Sequence, residues 1–314
     1  MDLFEGLGAV PPGFGPSAVT IGKFDGVHLG HRSVIAQLVT QAAAHDLTSV
    51  AVTFDRHPMA LLKPEACPLP LVSNSQRAEL LAKTGADATL VLEFTRELSA
   101  LEPAEFVDRV LVRALNAQLV LAGRDFRFGH RGAGDLATLR ALGSQVGFDV
   151  VELDDVDRDG DRVSSSRIRG LIDAGEVRDA SELLGRPPRV RSTVVRGDQI
   201  GREIGFPTAN LDPAMEGLLP ADGVYAARAT INSATSGATY EAAVSIGNNP
   251  TFEGVPARRT EAYLLDYSGD IYGATIELDF IERVRSMKKY DSVDDLVVAL
   301  AADVVRVRAI LAGE

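Results

Sequence analysis

Two histidines stand three residues apart in the stretch GKFDGVHLGH, residues 22–31, where a short apolar run gives way to a helical pattern. Side chains at i and i+3 share one face of a helix, so His28 and His31 can donate to the same anion. Unpaired N–H groups at a helix N-terminus also favour phosphate, and Gly22 and Gly26 let it approach the backbone. The spacing predicts a phosphate site in which the imidazoles stabilise charge on a departing pyrophosphate.

Two other interpretations of this pair remain open from the residues alone. His-x-x-His together with Asp25 is a plausible ligand set for a metal ion. Alternatively, the two histidines are structural residues of a helix start, satisfied by hydrogen bonds to the backbone.

The composition limits the possible classes of protein. A length of 314 residues favours two domains. A net charge of −12 argues against a general nucleic-acid binder, although not against small anionic substrates. No apolar run is long enough for a membrane helix, and the acidic N-terminus lacks the basic region of a secretion signal. With the single cysteine, Cys67, these features predict a cytoplasmic protein without disulfides.

The first half of the chain alternates strand and helix patterns, which predicts a parallel sheet with right-handed crossovers. The predicted strands are short and apolar, as expected for strands covered on both faces. They cover residues 18–24, 49–54, 88–94, 118–122 and 149–153, and the helices between them cover 32–45, 76–84, 104–115 and 136–146.

The second half has a different pattern of predicted helices and strands. Two helices, 167–174 and 177–184, lead to the paired prolines of Gly185-Arg-Pro-Pro188, which predict an interdomain linker. Strand patterns then follow one another, at 189–195, 224–231, 241–246, 260–267 and 274–280, before an amphipathic segment at 293–311. We therefore expect domains at 1–186 and 187–314, the second an antiparallel β-barrel closed by a terminal helix.

Several stretches, in order, resemble one known family. IGKFDGVHLGH resembles the histidine motif of the nucleotidyltransferases, and FDGVHLGH is similar to the form found in prokaryotic FAD synthetases. VTFDRHP, AGRDFRFGHRGAGD, VSSSRIR, GREIGFPTANL, GVYAARA, SIGNNPTF and EAYLLDYSGDIYG follow in the family's order. The resemblance implies a Rossmann-like module that transfers AMP from ATP to FMN, and a barrel that phosphorylates riboflavin with ATP.

The same resemblance assigns roles in the adenylyl-transfer half. His28 and His31 would bind the ATP phosphates and stabilise the transition state. The other implied nucleotide-binding residues are Gly22, Phe24, Gly26, Ser164, Ser165, Ser166, Arg167 and Arg169. Family members commonly carry threonine where this chain has Ser166, and the hydroxyl is retained.

Two further motifs of this half leave alternatives. Asp125 follows a predicted strand and would bind the nucleotide or its magnesium, unless it only caps its loop. FDRHP carries Arg56 where the family usually has proline, which leaves the roles of Asp55 and His57 open.

The barrel half lacks a P-loop, so it must hold ATP in another way. Thr208 and Asn210 alternate on an extended segment, and their side-chain oxygens suit Mg²⁺. Gly197, Gly201 and Gly205 would form a flexible loop over ATP.

Glu261 matches the family's glutamate and would act as the general base for the riboflavin hydroxyl. The alternative is an ordinary ion pair with Arg258 or Arg259. Arg283 is a further candidate for a nucleotide or flavin contact.

The leading hypothesis is thus a bifunctional enzyme that uses riboflavin, FMN, FAD and ATP with Mg²⁺. It would bind neither nucleic acid nor membrane, and it could form oligomers. A second hypothesis keeps the adenylyltransferase with another acceptor. A third makes the chain a non-catalytic flavin-binding protein, which would not need to retain the phosphate-handling residues.

Overall fold

The computed structural model describes residues 1–158, 160–197, 201, 204–231, 237–247 and 258–313. The chain divides into two compact units, Met1–Ser164 and Ser165–Glu314. Each unit has its own hydrophobic core.

The first unit is built on a six-stranded parallel sheet in the order β1-β4-β3-β2-β5-β6. The strands are β1 (Asp2–Glu5), β2 (Ser17–Ile21), β3 (Thr48–Phe54), β4 (Ala88–Leu92), β5 (Ala117–Gly123) and β6 (Asp149–Leu153). The chain leaves β2 toward β3 on one side and reaches β5 on the other. The order therefore reverses beside β2, the place where open α/β sheets bind ligands.

Helices cover the faces of this sheet. They are α1 (Leu29–Ala44), α2 (Pro58–Leu62), α3 (Asn74–Ala82), α4 (Arg96–Ala100), α5 (Pro103–Phe106) and α6 (Leu136–Val146). The segment after α5 continues as a π-helix over Val107–Ala114. Helix α1 buries Ile35, Leu38 and Ala42 against the sheet, which confirms the predicted strand–helix alternation.

The boundaries differ from the prediction where the backbone turns sharply. Strand β2 ends at Ile21 rather than at residue 24, because Phe24 adopts a φ of 46° that no strand allows. Helix α1 begins at Leu29 instead of residue 32, since His28 already caps it. Strand β1 was not predicted, and neither was the small hairpin of β7 (Asp157–Arg158) and β8 (Asp161–Arg162).

The second unit contains the predicted antiparallel barrel, closed in the order β10-β13-β12-β11-β14-β9. Its strands are β9 (Arg189–Val195), β10 (Ala209–Leu211), β11 (Gly223–Ile231), β12 (Thr239–Gly247), β13 (Arg259–Leu264) and β14 (Thr275–Arg285). The described residues of this unit include the helices α7 (Ser165–Ala174), α8 (Val177–Leu184) and α9 (Val293–Ala312).

Helices α7 and α8 belong to the second unit, where they pack on the barrel. Val177 belongs to the barrel core, and Arg178 forms an ion pair with Glu282 of β14. The first compact unit therefore ends at Ser164, earlier in the chain than the predicted linker at 185–188. The domain boundary between residues 186 and 187 stays a prediction.

Candidate functional sites

The loop after β2 is held in an unusual backbone path. Phe24, Gly26 and Val27 all have positive φ, at 46°, 80° and 40°. A β-branched residue rarely adopts this conformation, and such strain is typical of functional loops. The Phe24 ring lies under the loop, since a Cβ on Gly22 would come within 3.0 Å of it. Thr53 Oγ1 and the buried Arg77 both donate to the carbonyl of Lys23, at 3.0 and 3.4 Å, and fix the path.

The two histidines form one stacked pair at the start of α1. Their ring centroids lie 3.6 Å apart with planes inclined by 18°, and the Phe24 ring meets His31 edge-on at 5.2 Å. His28 caps the helix, because its Nδ1 accepts from the N–H of His31 at 3.4 Å. This bond assigns the proton of a neutral His28 ring to Nε2.

The site keeps His31 uncharged. Burial lowers the pKa of His31 well below 6.5, and the nearby positive charges of His28, Lys23 and Arg162 lower it further. In the described part of the chain, its Nδ1 is buried without a hydrogen-bond partner. A buried polar atom of this kind calls for a ligand or a water molecule. The geometry therefore suits a bound anion, which would accept a hydrogen bond from this nitrogen.

Lys23 and Arg162 are charged members of this site that the sequence reasoning missed. Both influence His31, and Arg162 donates to Asp125 at 2.7 Å and pairs with Asp155 at 3.0 Å. The Arg162 hydrogen bond is the main reason that the pKa of Asp125 is lowered. Lys23 lies inside the histidine motif and Arg162 directly precedes VSSSRIR, so their positions offered a signal.

In the loop around Asp55, the structure shows what Arg56 does where the family usually has proline. Asp55 accepts from the N–H of Phe94 at 2.8 Å and from Arg56 Nε at 2.8 Å. Burial would raise the pKa of Asp55, but the hydrogen bonds from Arg56 and Phe94 outweigh it and lower the pKa. His57 Nε2 lies 3.2 Å from Lys23 Nζ, which connects this loop to the histidine site.

The metal interpretation of the pair finds no support in the described ranges. They contain no group of three or more His, Cys, Asp or Glu residues arranged to hold a metal ion. Asp25 is buried, and its Oδ1 accepts from the N–H of Leu71 at 2.9 Å. The carboxylate thereby anchors the segment around Leu71.

The VSSSRIR stretch is divided between the two units. A Cβ on Gly30 would lie 3.5 Å from the carbonyl oxygen of Val163, so the chain passes the histidine pair just before Ser164. The other implied phosphate ligands begin α7 of the second unit, namely Ser165, Ser166, Arg167 and Arg169. Their nucleotide contacts stay a prediction.

The barrel brings three oxygen-bearing side chains together on the β10–β13 edge. Thr208 Oγ1 donates to Glu261 Oε2 at 3.1 Å, and Asn210 is the register partner of Glu261 across the two strands. Any Cβ on Gly197 would overlap the Asn210 side chain. Gly201 packs closely against Phe206, and Gly205 has a φ of 85°. Residues 202–203 and 248–252 of the motifs in this half lie outside the described residues.

One alternative partner of Glu261 is engaged elsewhere. Arg258 pairs with Asp222 at 2.7 Å. Hydroxyl, amide and carboxylate oxygens, the groups that Thr208, Asn210 and Glu261 carry, are the donors that Mg²⁺ prefers.

Arg283 makes structural contacts. Its guanidinium donates to the carbonyl of Ala174 at 3.2 Å and to that of Asp222, which joins the end of α7 to the barrel. A nucleotide or flavin contact of Arg283 stays a prediction.

Together, the parallel sheet with its histidine loop and the antiparallel barrel are typical of a transferase built from two domains. Residues 13–167 match the family described as FAD synthetase, and residues 184–311 match the family described as riboflavin kinase. The chain belongs to the bifunctional riboflavin kinase/FMN adenylyltransferase family.

Similar proteins span the chain at nearly full length. The bifunctional riboflavin kinase/FMN adenylyltransferase of Listeria monocytogenes is 38% identical, over 94% of this chain and 92% of its own. That of Pseudomonas fluorescens is 35% identical, over 99% and 98%.

One solved structure with the same architecture carries a different name. The crystal structure described as a macrolide-efflux protein from Streptococcus pneumoniae has a TM-score of 0.87 at 32% identity, and it covers 98% of this chain and 99% of that one. Within the described ranges, no helix of this chain is long and apolar enough to cross a membrane.

Proposed function

We propose that this chain phosphorylates riboflavin with ATP to give FMN and then transfers AMP from a second ATP to FMN, giving FAD and pyrophosphate. The single observation that carries the proposal is that one chain contains both matched units, the FAD synthetase and the riboflavin kinase. FMN links the two sites because it is the product of one reaction and the substrate of the other.

In the adenylyl-transfer site, an oxygen of the FMN phosphate attacks the α-phosphorus of ATP, and the bond to pyrophosphate breaks. The reaction requires positioning and charge neutralisation more than covalent catalysis. We assign hydrogen-bond donation to the stacked imidazoles of His28 and His31. Lys23 and Arg162 supply positive charge beside them.

The low pKa of His31 suits this role. A positive charge on His31 would be repelled by one on His28, whose ring centroid lies 3.6 Å away, whereas a neutral His31 ring can still donate one hydrogen bond to the leaving oxygens. Such preorganised donors stabilise a developing anion without reorganising.

In the kinase site, the described residues fit a magnesium ion. The hydroxyl of Thr208 donates its proton to Glu261, so its lone pairs remain available to a cation. When bound, Mg²⁺ would supply positive charge that neutralises the ATP phosphates. Thr208 and Asn210 would hold it, and the hydrogen bond from Thr208 to Glu261 would orient the threonine oxygen.

Glu261 would act as the general base. One of its oxygens accepts from Thr208, which fixes the carboxylate and leaves the other oxygen for the substrate. That oxygen accepts the proton of the terminal ribityl hydroxyl of riboflavin. The hydroxyl oxygen attacks the γ-phosphorus, and ADP departs.

Substitution of the base tests the kinase assignment. Glu261→Gln should lower FMN formation by about 10²–10⁴, the usual cost of losing a general base, and leave FMN-to-FAD conversion nearly unchanged. Glu241→Gln on the adjacent strand β12 is the matched control, since Glu241 faces Arg308 instead. Equal loss of both activities in a folded Glu261→Gln protein would contradict the role.

The products of the wild-type protein separate the remaining functions. Incubation with riboflavin and Mg-ATP should yield FMN, ADP, FAD and pyrophosphate. An adenylyltransferase with another acceptor would make no FAD from FMN, and a non-catalytic flavin-binding protein would consume no ATP. We also propose that the protein acts in the cytoplasm, where its one cysteine, Cys67, stays reduced.

A further inference from the structure

Ser245 is the first residue of the SIGNNPTF motif and lies in β12, directly opposite Glu261 of β13. Directly opposed residues of an antiparallel pair share one face of the sheet, with Cβ atoms about 4.5–5.5 Å apart. The two chain neighbours of Ser245 belong to the barrel core, and so does Ala262, which follows Glu261. Because side chains alternate along a strand, Ser245 and Glu261 both face outward from the barrel.

The order of the strands places Ser245 on the side of Glu261 that is opposite to the oxygens assigned to Mg²⁺. Strand β13 lies between β10 and β12. On the β10 side, Thr208 donates to Glu261 and Asn210 is its register partner. On the β12 side, the register partner of Glu261 is Ser245. The carboxylate therefore stands between two polar neighbours that belong to different strands.

The hydroxyl of Ser245 is held by a weak acceptor. Its Oγ donates to Sδ of Met287 at 3.8 Å, and a thioether accepts hydrogen bonds only weakly. A hydroxyl held in this way can turn to an oxygen acceptor with little loss of free energy. Met287 also lies against the end of β12, since a Cβ on Gly247 would come within 3.2 Å of its Cγ. Ser245 is thus a polar group with an apolar side chain beside it.

The chemistry of phosphoryl transfer says what should occupy the Ser245 side. The attacking hydroxyl and the departing ADP lie roughly in line on opposite sides of the γ-phosphorus. With ATP and Mg²⁺ on the side of Thr208 and Asn210, the flavin approaches Glu261 from the side of Ser245. Riboflavin joins a polyhydroxyl chain to a flat aromatic ring, and a serine beside a methionine offers a partner to each part.

We infer that Ser245 is a specificity-determining residue of the kinase site. Its hydroxyl donates to the 4′ oxygen of the ribityl chain, on the carbon next to the one that carries the reacting 5′ hydroxyl. This contact fixes the end of the chain and directs the 5′ hydroxyl to Glu261. The role rests on the proposed phosphorylation of riboflavin, and it concerns the choice of acceptor rather than the binding of ATP.

A cycle of two substrates and two proteins tests this role. Wild-type protein should phosphorylate riboflavin with a kcat/KM about tenfold above that of an analogue without the 4′ hydroxyl, the usual effect of one hydrogen bond between neutral groups. Ser245→Ala should lose about tenfold on riboflavin and stay within about twofold of wild type on the analogue, since the interaction is already absent there. The KM for ATP should not change in either protein.

Control variants separate substrate recognition from packing. Met287→Leu keeps an apolar side chain beside Ser245 but removes the sulfur. It should leave riboflavin phosphorylation near the wild-type rate, because the flavin replaces the thioether as acceptor. Thr239→Ala, which removes an exposed hydroxyl that contacts Thr230 from the same strand, is the matched control. FMN-to-FAD conversion and the melting temperature, measured in the same preparations, show that each variant is folded.

Three results would overturn the role of Ser245 alone. A wild-type protein that phosphorylates both flavins equally well does not recognise the 4′ hydroxyl. A Ser245→Ala protein that keeps the tenfold preference for riboflavin recognises it with another residue. If Met287→Leu reproduces the loss seen in Ser245→Ala, the serine acts through packing. A wild-type protein that phosphorylates neither flavin would contradict the proposed kinase function itself, and this inference with it.

Discussion

The stacked histidines allow catalysis and helix capping to be separated by choice of substitution. His28→Ala removes both the Nε2 donor and the cap formed by Nδ1 on the N–H of His31. In His28→Asn, a good capping side chain remains while the imidazole donor is lost. His31→Gln removes the second donor, whose ring does not cap the helix.

The structure sets the expected size of each effect. Loss of one donor to a developing anion costs roughly 3–4 kcal/mol, or about 10²–10³ in rate. Loss of the cap alone costs about 0.5–2 kcal/mol of stability and should appear only in His28→Ala. Because the two rings stack at 3.6 Å and serve one anion, the double variant should lose less than the product of the single effects.

The assay follows FMN-to-FAD conversion, riboflavin phosphorylation and the melting temperature in the same preparations. Each single variant should lose FAD synthesis and keep kinase activity. His45→Ala, at the other end of α1, is the matched control. His28→Asn should melt close to wild type and fail to synthesise FAD. If the two histidines only stabilised the helix start, a variant of normal stability would keep FAD synthesis.

Two outcomes would refute this reasoning. Full FAD synthesis in the double variant would exclude a phosphate role for the pair. Recovery of activity by excess or substituted divalent ions, with loss of bound metal from the variant, would favour the metal interpretation instead.

Three more predictions concern stability and modularity. Since burial lowers the pKa of His31, the unfolded chain binds more protons between that lowered pKa and 6.5, and denaturant titrations should show the free energy of unfolding decreasing by up to about 1.4 kcal/mol for each unit that the pH drops through this window; an equal slope in His31→Gln would contradict the assignment. Asp303→Asn should destabilise by about 2–3 kcal/mol, less than for a fully buried pair because Arg285 remains 21% exposed, and urea unfolding with Asp294→Asn as control checks it. A fragment of residues 165–314 should fold and phosphorylate riboflavin, while 187–314 should melt lower because it lacks α8; equal melting temperatures would show that α8 is dispensable.

Sequence patterns predicted most of the regular structure because the strands are long and apolar enough to stand out. The three residues of β10 and the four of β1 are too short to show a period. Strand β14 was predicted to stop at residue 280 but continues to Arg285. Register shifts between β11 and β14 allow the polar residues after Phe280 to remain paired with β11. No local sequence pattern predicts these shifts.

The sequence alone predicted more of the adenylyl-transfer site than of the kinase site. Its histidines, glycines and helix start lie within one contiguous stretch, so local spacing alone brings them together. Arg162 lies 37 residues from its partner Asp125, and only the folded chain makes them neighbours.

The sequence by itself determined which side chains could do chemistry and the alternation of strands and helices that builds the sheet. It also determined the change to successive strands that marks the barrel. Only the tertiary structure decided that Thr208 donates to Glu261, 53 residues away, and that Asn210 lies opposite it. It also decided that α7 and α8 join the barrel. Both outcomes depend on strand register and on packing between distant segments, where a shift of one residue would turn each side chain to the other face.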